Sequence, residues 1–224
     1  MSRSKDQLRI DREHRLSEGE WLQSDHCQLR PAWAGVELVV VHCVSLPEGR
    51  YGTGAPAQLF QGDLDHHSHP TFADLAGVRV APHVLIDRVG HLQQFVPFDQ
   101  SAWHAGVSSW AGRGNCNDYS IGIELEGWVG DPFTDAQYQQ LARVVVALLD
   151  AYPELSPGAV VGHSDVAPGR KQDPGAHFDW AKCHREIHKL LAGLVDVGVL
   201  DVAWVRHVRS LGWSFSALLL AGRG

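Results

Sequence analysis

The sequence predicts a mixed α/β fold, with a central mixed β-sheet flanked by helices. Three observations lead there. Apolar, β-branched runs at 36–42, 120–126 and 159–162 read as strands. Alternation at 82–87 and 91–96, around Arg88-Val89-Gly90, reads as an antiparallel hairpin. Helical periodicity follows Thr134. Strands separated by a helix and mixed with a hairpin suggest three layers rather than a sandwich.

In chain order, residues 1–18 are charged and lack the apolar stretch of a secretory signal. They are expected to form a flexible N-terminal extension of a cytoplasmic protein. A catalytic domain is expected over 19–194. The run 36–42 is apolar almost throughout, as a strand covered on both faces would be, and ends in His42. Residues 47–74, with Gly49, Gly52, Gly54, Pro56, Gly62 and Pro70, read as one long connection, a length that goes with function or mobility. His66, His67 and His69 fall in it and read as a solvated cluster without chemistry. In 120–126, Ile121, Ile123 and Leu125 point to one face and Glu124 and Glu126 to the other. Thr134-Asp135-Ala136-Gln137 is a capping box, opening a helix whose Tyr138, Leu141, Val145 and Leu148 share a face and which ends before Pro153. A last domain helix is expected at 179–194. Residues 195–224 form an apolar C-terminal extension whose role the sequence does not give; its run 214–221 is too short to cross a bilayer.

A chain of 224 residues, 44% hydrophobic and 20% charged, suits one well-buried domain with extensions. The net charge of −7 argues against a nucleic-acid surface and against an enzyme that clings to an anionic polymer. Small soluble partners suit it better, and no membrane or obligate protein partner is expected. Cys27, Cys43, Cys116 and Cys183 are scattered, with no C-x-x-C pair, as reduced thiols would be. Cys43 adjoins His42 but points to the opposite strand face, which makes it a core residue.

The segment 162–175 places an imidazole, an ammonium and a carboxylate in one loop: His163, Lys171 and Asp173. Pro168-Gly169 and Pro174-Gly175 keep this loop out of helix, so Asp173 can fold back toward His163. If the three strands are neighbours, His42, His163 and Glu124 meet at one edge of the sheet. Two histidines and a carboxylate, with a fourth position open to water, are the ligand count of a catalytic zinc site. A glutamate such as Glu124 can take the water's proton, and Lys171 can stabilise the oxyanion formed at a carbonyl. The residues alone leave Asp165 open as a rival for Asp173, unless it caps the following turn. They also leave Glu126 open as a rival for Glu124.

The strings VVVHCVSLP, HPTFADLAGVRVAPHVLI, QQFVPFDQSAWHAGVSSWAGRGNCNDYSIGIELEG, FTDAQYQQLARVVVALL and VVGHSDVAPGRKQDPGAHFDW resemble the AmpD-type N-acetylmuramoyl-L-alanine amidases, in order, from about Gly19 to about His188. The resemblance implies the zinc amidase fold shared with peptidoglycan-recognition proteins. It implies one zinc on His42, His163 and Asp173, with Glu124 as base and Lys171 as the transition-state cation, and so selects between the rivals above. The implied reaction is hydrolysis of the amide between the lactyl group of muramic acid and L-alanine of the stem peptide. The implied substrates are soluble 1,6-anhydro-muropeptides released in cell-wall turnover. The alternatives are action on polymeric peptidoglycan and, against the filled ligand set, a non-catalytic muropeptide-binding module.

Arg79 matches a family arginine used on the muropeptide. Trp103 and His104 read as a cleft wall, an aromatic face with an imidazole for a carboxylate. His83, in the hairpin, reads equally as a hydrogen-bonded structural histidine or a substrate contact. Asn115 stands where the family pattern has arginine, which leaves Arg113 as the candidate to replace that cation.

Overall fold

The computed structural model describes residues 7–196, so the expected C-terminal extension lies, from residue 197 on, outside the described residues. The first half of the chain runs through β1 (Glu20–Trp21), β2 (Cys27–Leu29), β3 (Leu38–Val44), α1 (Ala55–Gln61), β4 (Val84–Ile86), β5 (Leu92–Gln94) and β6 (Gln100–Ala102). It continues through β7 (Ser109–Trp110), β8 (Arg113–Gly114), β9 (Ser120–Glu126), α2 (Asp135–Ala151), β10 (Val160–Gly162), α3 (His163–Val166) and α4 (Trp180–Asp196). The described residues contain a six-stranded sheet of order β1-β5-β4-β9-β3-β10. It is mixed: β4 and β5 are antiparallel, as the alternation predicts, whereas β4, β9, β3 and β10 run parallel.

Strand alternation divides the side chains between two layers. Val39 and Val41 of β3, with Ile121, Ile123 and Leu125 of β9, face α2 and α4 and form the larger core. Tyr138, Leu141, Val145 and Leu148 present the buried face of α2 to it. Each such apolar side chain removed from water stabilises the fold by roughly 1.5–3 kcal/mol. Helix α2 starts where the capping box predicts: Thr134 and Gln137 satisfy each other's backbone N–H groups. The Gln137 amide also donates to the carbonyls of Ile86 and Glu126, tying the helix to the carboxyl ends of β4 and β9.

The opposite face is covered by shorter pieces, and two expectations change. The connection 47–74 contains α1 and a 3-10 turn at Pro70–Leu75. Leu59, Phe60 and Phe72 of these segments pack with Leu85 and Phe95 in a second core. The glycines that suggested a loop bracket the helix: Gly54 and Gly62 both have left-handed backbones, and Gly62 closes the C-terminus through its N–H. Residues 7–18, expected to be a flexible extension, are packed: Leu8 lies in the main core, Ile10 bridges Leu16, and the Leu16 N–H donates to the Gln94 side chain. Short apolar residues among charges anchor this segment.

His83 is a structural residue. Its Nδ1 accepts from the Gly122 N–H at 3.0 Å and its Nε2 donates to the Gln100 carbonyl at 3.0 Å. Burial, and then the Arg30 guanidinium, push this imidazole down to about 3. An unfolded histidine titrates near about 6.5. The stability contributed by neutral His83 is therefore complete above about pH 6.5 and is lost as the pH falls toward about 3. The denaturant midpoint is expected to fall over that window, and to fall less steeply in His83→Gln. An equally steep fall in the variant would remove His83 from the acid response.

Candidate active site

Register brings the site together. In the parallel pairing of β3 with β9, His42 lies opposite Glu124; in that of β3 with β10, Val41 lies opposite Gly162. His163, the next residue, therefore arrives beside His42 at the carboxyl edge of the sheet. His163 opens the helical turn α3 rather than the loop the sequence suggested. Asp165 accepts from the Gly162 N–H at 2.7 Å and caps that turn. The loop then doubles back, held by a hydrogen bond from the Ser164 N–H to the Asp173 carbonyl at 3.0 Å.

Three ligand atoms converge. His42 Nδ1 lies 2.9 Å from His163 Nδ1 and 3.2 Å from Asp173 Oδ2, and His163 Nδ1 lies 3.0 Å from the same oxygen. Among the described residues this is the His, Cys, Asp or Glu group able to hold a metal ion. His163 Nε2 faces the Ala105 carbonyl at 3.0 Å, and a carbonyl only accepts, so Nε2 is the donor there and Nδ1 is the nitrogen turned toward the other two ligand atoms. His42 Nε2 is engaged by His104 Nδ1 at 2.9 Å. Lone pairs and a carboxylate crowded together in this way call for a positive charge between them. Ligand atoms on a tetrahedral zinc are roughly 3.3 Å apart, close to the spacing here. The donor set fits a zinc ion.

Burial pushes the His42 imidazole down to about 4, against the pull of Asp173. Burial works against ionisation of Asp173 too, but His163 and His42 outweigh it and hold the carboxyl well below the usual range. Both shifts favour the deprotonated forms that bind metals.

These groups open onto a cleft of about 460 Å3, with Glu124, Lys171 and Trp128 on its walls. Glu124 Oε2 is buried and, among the described residues, has no hydrogen-bond partner. Burial and then Asp173 push this carboxyl well above its ordinary value, opposed by Lys171. Lys171 is exposed at the rim and reaches both Glu124 and His42 through its field. Glu126 does different work: its Oε1 accepts from the Gly52 N–H at 2.6 Å and pins the segment after β3 as a cleft wall. The same wall is held by Trp128 donating to Glu48 and by Tyr51 donating to Asp131 at 2.6 Å. Neither Trp128 nor Glu48 stands out in the sequence, since their pairing crosses about 80 residues of chain. Cys43 packs toward the helical core.

The expected substrate-contact residues are redistributed. Arg113 lies away from the cleft: it pairs with Glu37, just before β3 and therefore at the opposite end of the sheet, and rests on Tyr119. It is not among the residues that line the cleft. Asn115 takes a left-handed backbone, which asparagine tolerates, and donates to Asp118 at 3.2 Å. Trp103 is not a wall of the main cleft; it stacks on the buried His26, with the Arg79 guanidinium 4.9 Å above its ring. Arg79 lines a smaller neighbouring cavity of about 270 Å3 that shares Leu59 with the cleft. His104 does border the cleft, but both ring nitrogens are engaged by the protein, so it is not free for a substrate carboxylate. Arg170, overlooked in the sequence beside Lys171, donates to the carbonyls of Ala105 and Val107 at 2.6 and 2.7 Å and fixes the loop that meets His163.

A parallel-edged α/β sheet that brings a His-His-Asp group and an unpartnered glutamate to one cleft has the composition of a hydrolase. The N-acetylmuramoyl-L-alanine amidase family profile matches residues 32–176. The 1,6-anhydro-N-acetylmuramyl-L-alanine amidase AmpD of Escherichia coli strain K12 is 52% identical over 159 residues, covering 71% of this chain and 86% of that protein. AmpD of Haemophilus influenzae is 45% identical over 167 residues, covering 75% and 91%. Among solved structures, a selenomethionine derivative of AmpD superposes with a TM-score of 0.77 at 48% identity, covering 80% of this chain and 98% of that one. The E. coli amidase AmiD, in complex with anhydro-N-acetylmuramic acid-L-Ala-D-gamma-Glu-L-Lys, superposes with a TM-score of 0.51 at 29% identity, covering 70% and 60%. The chain belongs to the N-acetylmuramoyl-L-alanine amidase family and is an amidase.

Proposed function

We propose that this chain is a zinc amidase that cleaves the bond between the lactyl group of 1,6-anhydro-N-acetylmuramic acid and L-alanine of the stem peptide, in cytoplasmic recycling of wall fragments. The observation that carries the reading is the convergence of His42 Nδ1, His163 Nδ1 and Asp173 Oδ2 beside the unpartnered Glu124 Oε2.

His42, His163 and Asp173 would hold the zinc, which when bound supplies Lewis-acid polarisation and a more acidic water. Glu124 takes the proton of the attacking water at Oε2 and returns it to the departing L-alanine nitrogen. Its raised proton affinity suits both halves of that transfer, because a group that binds a proton too weakly cannot deliver it. Lys171 offers positive charge to the oxygen of the tetrahedral adduct. The half-enclosed cleft, with Trp128 on one wall, suits a fragment of one sugar and a short peptide. The net charge of −7 disfavours a polyanionic wall surface. Among the described residues no helix is long and apolar enough to cross a membrane.

Release of L-alanyl peptide from soluble anhydro-muropeptide, measured against release from intact sacculi at equal bond concentration, tests the substrate assignment. Faster release from the soluble fragment is expected. Faster digestion of sacculi would overturn the recycling role and leave the amidase chemistry intact.

A further inference from the structure

We propose that Ser120 and His104 form a positioning relay that fixes the proton arrangement of His42, and with it the affinity of the site for its cation; the inference rests on the zinc reading above. The relay begins at the Cys116 carbonyl, which lies 2.5 Å from Ser120 Oγ. A carbonyl has no proton to give, so the Ser120 hydroxyl donates to it and can only accept from its other neighbour. That neighbour is His104 Nε2, at 3.1 Å, which must then carry a proton. A neutral imidazole has a single N–H, and here it is the one directed at Ser120. Its Nδ1 therefore presents a lone pair to His42 Nε2, 2.9 Å away. His42 must donate there, and its Nδ1 is left bare, facing His163 Nδ1 and Asp173 Oδ2.

Without Ser120 as acceptor, the His104 proton is free to move to Nδ1. The relay then runs backward: His42 Nε2 accepts, and the His42 proton sits on Nδ1, where the cation belongs.

The rest of this corner is built around the His104 ring. A Cβ added at Gly122 would lie 2.4 Å from that ring, so β9 leaves out a side chain where the imidazole rests on it. Asn117 Oδ1 accepts from the N–H groups of His104 and Ala105, at 3.2 and 2.8 Å. The Ala105 carbonyl in turn receives His163 Nε2–H. One short loop thus orients both imidazoles, the first through a side chain and the second through a carbonyl. In this arrangement Ser120 acts through His104, and His104 acts through His42.

Zinc affinity measured by chelator competition tests the relay, on the full chain and on Ser120→Ala, His104→Phe and His104→Asn, with the thermal midpoint of each metal-free protein as a folding control. Groups that orient metal ligands in this way typically contribute about 10- to 100-fold in affinity. A loss of that size is expected for Ser120→Ala and His104→Phe. His104→Asn should stay near the parent, because its Oδ1 can take the accepting place of Nδ1. If His104→Phe does not fold, Ser120→Ala, which removes one oxygen, decides alone. Parent-like affinity in Ser120→Ala, or an equal loss in the Asn and Phe variants, would overturn the relay while leaving the zinc site standing. A parent protein that binds no zinc would sink the zinc reading itself, and this inference with it.

Discussion

His163→Ala should lose bound zinc and amidase turnover together, with turnover falling to background. His163 is 3% exposed. Its Nδ1 contributes one of the three converging donors, and its Nε2–H satisfies the Ala105 carbonyl. Alanine leaves His42 and Asp173 as a two-donor site. It also removes the proton donor of a carbonyl that Arg170 still grips. Two donors cannot meet the three protein ligands of a catalytic zinc centre. Metal analysis of the purified variant beside the parent is the check. A variant with full zinc and normal turnover would contradict the ligand set.

Glu124→Gln should separate the two properties, keeping zinc while lowering turnover by about 10²- to 10⁴-fold, the contribution of a positioned acid or base. Glutamine has nearly the same shape, and Glu124 Oε2 makes no hydrogen bond among the described residues for the substitution to break. The change removes only the ability to take and return a proton. Glu124 is not one of the three converging donors, so the substitution leaves His42, His163 and Asp173 in place. Turnover within a few-fold of the parent would remove Glu124 from the proton transfer and reopen the search for a base. Glu126 would be a poor next choice, because its carboxylate is committed to the Gly52 and Arg88 N–H groups.

Much of this site is legible in the chain because it depends on local pattern. His42 and His163 terminate apolar runs, and paired Pro-Gly steps between Val166 and Gly175 announce a loop that returns Asp173. The choice between Glu124 and Glu126 is not local. Alternation sends both to the same face, and only the register with β3 decides which one stands opposite His42. Arg113 shows the reverse error. It is near Asn115 in sequence, but strand direction carries it to the amino end of the sheet beside Glu37. Proximity along a chain says little about which edge a residue reaches.

Helix α1 was hidden by its surroundings. Ala55, Pro56, Leu59 and Phe60 are ordinary helix material with proline at the start, but glycines on both sides drew attention to turns. The relay of Ser120 and His104 left one readable trace, a glycine at position 122 inside an alternating strand. Such a glycine signals close approach of another group. What approaches it comes from sixteen or more residues away, and the direction of each hydrogen bond depends on a carbonyl that only the folded chain places.

In the proposed mechanism, His42, His163 and Asp173 hold a divalent ion on which amide hydrolysis depends. The most direct measurement is the release of L-alanyl peptide from anhydro-muropeptide by the purified protein before chelation, after chelation, and after stoichiometric zinc is returned. One zinc per chain, loss of release on chelation, and recovery when zinc is restored are expected. Undiminished release by protein shown to be metal-free would contradict it.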